Sequence, residues 1–116
     1  NISQLLWKGY KGFLNHITRN RAKEIYNDSQ FQFCFNNDSL VGFIAYRKDK
    51  DIVTIDEAVC ISNNSFDLLK MWKKVIAGSK KVIAETHPDN TKIINFFNNV
   101  GFKYNNNENC YILDMK

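Results

Sequence analysis

Two carboxylates, Asp56 and Glu57, stand side by side in the otherwise apolar stretch IVTIDEAVCI. Neighbours on an extended strand point to opposite faces. Glu57 would then share a face with Ile55, Val59 and Ile61. A carboxyl among apolar groups holds its proton to higher pH, as a general base near neutrality requires. A strand end turning to solvent would explain the same pair without chemistry. Cys34, Cys60 and Cys110 are widely separated and lack C-x-x-C spacing. That opposes a disulfide framework or zinc knuckle and predicts buried, unbridged thiols in a reducing cytoplasm. A nucleophilic cysteine would want a nearby histidine, and the chain offers His16 and His87. With no second ligand at metal spacing from His87, a surface role is expected there and no metal site. Ser62, Asn63, Asn64 and Ser65 are a dense group of helix N-cap types, with Asp67 suited to the first turn. Asn90 precedes another helical pattern, as its N-cap or as a polar group for a ligand.

The elements that must position these residues follow from periodicity. Ile2, Leu6, Tyr10, Phe13, Leu14 and Ile17 recur at helical steps, so residues 2–28 read as helix, broken near Asn20. Residues 31–35 alternate Phe31, Phe33 and Phe35 on one face, and Asn36-Asn37-Asp38 makes a hairpin turn into the strand 40–47. Asp49-Lys50-Asp51 turns the chain again into the β-branched strand 52–61. Residues 66–77 form a helix stopped by Gly78, with Leu68, Leu69, Trp72, Val75 and Ile76 inward. Lys70, Lys73 and Lys74 fall on its solvated side. A short apolar strand, 80–85, lies parallel to 52–61. A helix from Thr91 to Gly101 follows, with Ile93, Phe96, Phe97 and Val100 as its core stripe, then two final strands joined by 105–109. The order is ααβββαβαββ: an α/β chain with one mixed sheet and helices on both sides. Phe33, Phe43, Ile55, Val59, Val82, Ile93, Phe96 and Phe102 are its expected core.

The chain has 116 residues, 44% of them hydrophobic, which predicts one domain over 1–116 with its own core. No run approaches a membrane span, and the start lacks the order of a secretion signal, so neither membrane nor export is expected. The net charge is +4, but 13 lysines, 3 arginines and 16 asparagines reflect A/T-rich codons more than a nucleic-acid partner. Such a composition suits a phage or compact bacterial genome. Lys70, Lys73, Lys74, Lys80 and Lys81 bracket one helix without a reading motif.

The stretch VIAETHPDNTKIINFFNNVGFKY resembles the carboxy-terminal half of the GCN5-related N-acetyltransferase (GNAT) superfamily. The matching features are the strand Val82–Glu85, Asn90, the paired Phe96-Phe97, and Gly101-Phe102 opening the next strand. FQFCFNNDSLVGFIAYRK is similar to the family's second and third strands, and the element order agrees along nearly the whole chain. The family's first strand is missing at the amino terminus. The resemblance implies a GNAT fold that transfers an acetyl group from acetyl-CoA to an amine acceptor, a small molecule or a protein. It implies Glu57 as the base. It assigns the cofactor to backbone atoms of Val59, Cys60 and Ile61, to Ser62, Asn63, Asn64 and Ser65 in place of the family's glycine loop, and to Asn90 and Phe97. Three features depart from the family: the loop has no glycine and no arginine, and Phe97 stands where a tyrosine acid is usual. The alternative is therefore a catalytically inactive member of the fold serving as a binding or assembly protein, a homo-oligomer included.

Overall fold

The computed structural model describes residues 27–61, 65–86 and 88–115. The helices expected in residues 2–28 lie almost wholly outside these, as do Ser62, Asn63, Asn64 and His87. Six strands form one sheet: β1 (Gln30–Asn36), β2 (Ser39–Asp49), β3 (Ile52–Cys60), β4 (Lys81–Ala84), β5 (Lys103–Asn105) and β6 (Cys110–Asp114). Helix α1 (Ser65–Ile76) links β3 to β4, and α2 (Thr91–Val100) follows β4. The strand order is β1-β2-β3-β4-β6-β5. Only β3 and β4 pair in parallel among these neighbours, so the sheet is mixed.

Local chemistry sets the turns. Asn37 and Asp38 both have positive φ, 50° and 69°, as a tight hairpin between right-twisted strands demands. Asn and Asp tolerate that region because their short side chains bond the local backbone. Gly101 ends α2 at φ 106°, and the Phe102 N–H then reaches back to the Phe97 carbonyl at 2.9 Å. That cap swings the Phe102 ring onto Phe97, with centroids 4.6 Å apart. The Gly-Phe pair is thus a helix stop coupled to a core contact.

One face of the sheet packs on the helices. Ile44, Val53, Ile55, Val82 and Ala84 meet Leu68, Met71, Trp72 and Val75 of α1 and Ile93 and Phe97 of α2. On the other face, Phe43 and Val59 pair across β2 and β3 and are also buried. Gly42 is fixed by the close approach of β3: a Cβ there would lie 2.6 Å from the Val59 carbonyl oxygen. Two expected core rings sit differently. Phe33 is 38% exposed, because β1 is an edge strand with a neighbour on one side among the described residues. Phe96 only flanks the core, and Phe97, 1% exposed, fills it. No described helix is long and apolar enough to cross a membrane.

Candidate functional site

The register of β2 on β3 slips between Ala45, opposite Glu57, and Tyr46, opposite Ile55. Asp56 is the extra residue of a β-bulge, and a bulge shifts the side-chain alternation by one. Before it, Val53 and Ile55 face the helices; after it, Ala58 and Cys60 do. Glu57 therefore lies on the face opposite Ile55. This corrects the simple alternation, which put the two together; its partnership with Val59 stands.

The same point ends the parallel ladder. It joins Ile52–Ile55 to Lys81–Ala84, and the Glu85 N–H donates to the Ile55 carbonyl at 3.3 Å. β4 stops at Ala84, while β3 continues to Cys60. Beyond Ile55 no described strand runs beside β3 on that side. Asn90 spans the gap. Its Nδ2 donates to the Ala58 carbonyl and to Thr86 Oγ1, both at 3.1 Å, and the residue is 5% exposed. The side chain makes no cap bond to α2. Asn90 is the N-cap residue of α2 by position, and its carbonyl accepts the Ile94 N–H at 3.1 Å, while its side-chain amide serves as a strut between the parted strands.

The adjacent carboxylates divide. Asp56 accepts from Arg47 Nε at 2.9 and 3.1 Å, from the Arg47 terminal nitrogen at 2.7 Å and from Ser29 Oγ at 2.7 Å. This fork holds the Arg47 guanidinium above its ordinary pKa, first through the hydrogen bond and then through the charge of Asp56. Asp56 is thereby committed to structure. Glu57 is 8% exposed beside the bulge, and its Oε1 accepts the Ala58 N–H at 3.3 Å.

No family model matches this sequence, and no curated protein matches it. Solved structures do. A GNAT-family acetyltransferase of Staphylococcus aureus is 19% identical and superposes with a TM-score of 0.75, over 99% of this chain and 90% of that one. A Pyrococcus horikoshii protein gives 0.75 at 17% identity, over 99% and 88%. The fold is that of the GNAT acetyltransferases. A GNAT acetyltransferase of Elizabethkingia anophelis, solved with acetyl-CoA bound, gives a TM-score of 0.63 at 11% identity, over 85% and 83%.

Within this GNAT fold the described site residues fall in separate places. Glu57 follows the point where β3 parts from β4, Asn90 bonds to Ala58 and Thr86 across that gap, and Cys60 ends β3 beyond it. Val59 and Ile61 belong to the other edge of β3: the Ile61 N–H donates to the Val41 carbonyl at 2.8 Å, and backbone groups alternate along a strand. By that alternation Ala58 and Cys60 turn toward the opening. Phe97 sits in the core, its ring 5.6 Å from Tyr111. Ser65 opens α1. Ala58 and Thr86 were not singled out from the sequence. Ala58 acts through its backbone, which no side-chain pattern reveals. Tyr111 lies opposite Ala84, the last residue of β4, by a pairing between distant segments. An open groove of about 480 Å³, lined by Lys103, Tyr104, Ile112 and Asp114 among others, lies at the β5 edge and holds none of the expected site residues.

Proposed function

We propose that this chain transfers an acetyl group from acetyl-CoA to an amine acceptor. The observation that carries the reading is the parting of β3 from β4 at the Asp56 bulge, with a buried carboxylate, Glu57, beside it. The likeness to acetyltransferases, one of them with acetyl-CoA bound, supports it. Acetyl-CoA supplies a thioester carbonyl open to attack by an amine. Past Ala58, whose N–H and carbonyl are held by Glu57 and Asn90, the β3 edge at Cys60 is extended backbone with no described strand alongside, which fits strand-like pairing with an amide of an extended pantetheine arm. The N-terminal turn of α1, entered through Ser62–Ser65, would meet the diphosphate with backbone N–H groups. Glu57 takes the proton from the attacking amine at its carboxylate. Tyr111, packed on Phe97, is the phenol we assign to protonate the leaving thiolate.

Two features favour the second reading, a non-catalytic binding or assembly protein. Phe97 is a buried hydrocarbon ring, and the Asn90 amide already holds Ala58 and Thr86. The glycine-free loop weakens phosphate contacts, each worth roughly 1.5–3 kcal/mol. Calorimetric titration with acetyl-CoA decides between the readings. Binding in the high-micromolar range, with thiol release on addition of a primary amine, is the expected result. Absence of heat at millimolar ligand overturns the transferase reading.

A further inference from the structure

Resting on the reading of Glu57 as the base, we propose that Arg47 is its positioning residue: the Arg47 fork on Asp56 pins the β-bulge that sets the Glu57 carboxylate. Asp56 is the residue that the β2–β3 register skips, between Ile55 opposite Tyr46 and Glu57 opposite Ala45. A bulge disrupts the ladder at that residue, so its direction must be fixed by other contacts. Here the side chain fixes it. Arg47 stands opposite Thr54, before the bulge, and reaches along the strand to Asp56. Its Nε lies 3.1 and 2.9 Å from the two carboxylate oxygens, and a terminal nitrogen lies 2.7 Å from Oδ1. Ser29, the residue before β1, donates its hydroxyl to Oδ2 at 2.7 Å. The clamp thus ties the start of β1 and the middle of β2 to the bulge of β3.

An ordinary exposed ion pair contributes little. A planar guanidinium meeting a carboxylate through several N–H bonds fixes orientation as well as charge. The Arg47 side chain is 57% exposed and that of Asp56 16%, so the fork closes over the carboxylate from outside. Glu57 follows directly, and its Oε1 accepts the Ala58 N–H at 3.3 Å. The Ala58 carbonyl is held in turn by Asn90 at 3.1 Å. Contacts therefore run without a break from Arg47 on β2 to the gap where β3 leaves β4. Rotation of the backbone at Asp56 would carry the Glu57 carboxylate with it, and a displacement of about 1 Å in a catalytic arrangement costs about a hundredfold in rate.

Amide hydrogen exchange followed by NMR, with transfer kinetics and acetyl-CoA calorimetry, tests this. In Arg47→Gln the Ala58 amide should exchange about tenfold faster or more, while Met71 and Trp72 of α1 keep their native rates. Turnover should fall about ten- to a hundredfold with acetyl-CoA affinity unchanged. Arg47→Lys should behave like Arg47→Gln, because an ammonium restores the charge without the fork. Native exchange at Ala58 overturns the proposal. So does faster exchange throughout the chain, a loss of acetyl-CoA affinity in step with turnover, or full recovery in Arg47→Lys. A native chain that transfers no acetyl group overturns the transferase reading alone, and exchange at Ala58 still decides whether Arg47 governs Glu57. If Arg47→Gln does not fold, Asp56→Asn, which keeps the side chain's shape and weakens the fork, is read in the same way.

Discussion

Glu57 and Asp56 are chemically near-equivalent, and their neighbours separate them. Arg47 and Ser29 occupy Asp56, whereas Glu57 is buried on the other side of the bulge with the Ala58 N–H on one oxygen. Glu57→Gln keeps the shape and removes the base. We expect acetyl transfer to fall by about a hundredfold or more with acetyl-CoA affinity unchanged, read by steady-state kinetics and calorimetry. Unchanged turnover would remove Glu57 from the mechanism. Asn90 presents a different dependence. Asn90→Ala leaves the buried Ala58 carbonyl without its donor, at a cost of about 1–3 kcal/mol in urea unfolding. A fall in acetyl-CoA affinity beyond the loss of stability would show that the strut also shapes the opening.

At the scale of elements, α2 is held by one deeply placed ring. Phe97 touches Phe102 at 4.6 Å and Tyr111 at 5.6 Å, whereas Phe96 meets Trp72 edge-on from a partly buried position. Phe97→Ala should cost about 3–5 kcal/mol. Phe96→Ala should cost clearly less, since part of its ring is already in water. Equal costs in chemical denaturation would mean that the helix seats both rings alike. The helical period marked both positions as inward, because both lie on one apolar stripe. Which of them is central depends on how α2 rolls against β4 and β6.

For the whole molecule, the buried thiols make stability sensitive to alkali. Burial first, then the charge of Asp67, pushes the Cys34 thiol above its ordinary value of 9.0; burial, then Glu108, does the same for Cys110. In the unfolded chain these thiols give up protons that the native state retains. Their contribution is full below about pH 9 and is lost as pH rises from there through the native values. Urea midpoints followed from neutral into alkaline pH should fall. A Cys34→Ala, Cys110→Ala double variant should fall less steeply. An equal slope would assign the loss to other groups.

Much of the fold was legible in the residues. Asn37-Asp38, Gly101-Phe102 and the β-branched run of β3 each act through local backbone preference. The apolar run of β4 likewise announced a strand inside the sheet. The site was less legible, because it depends on register between segments far apart in the chain. No local signal places the bulge at Asp56: it is a mismatch between β2 and β3, and one slipped residue moves every later side chain to the other face. That slip decides which face Glu57 takes and which backbone groups of β3 meet the opening. The target of Asn90, 32 residues away in Ala58, follows from the same parting of strands. The exposure of Phe33 follows from the place of β1 at the edge of the described strands. The sequence alone determined the elements, their order and the residue types available for chemistry, since these are local and periodic properties. Tertiary structure decided which of those residues share a space, because strand pairing and helix packing are settled by contacts that no single segment contains.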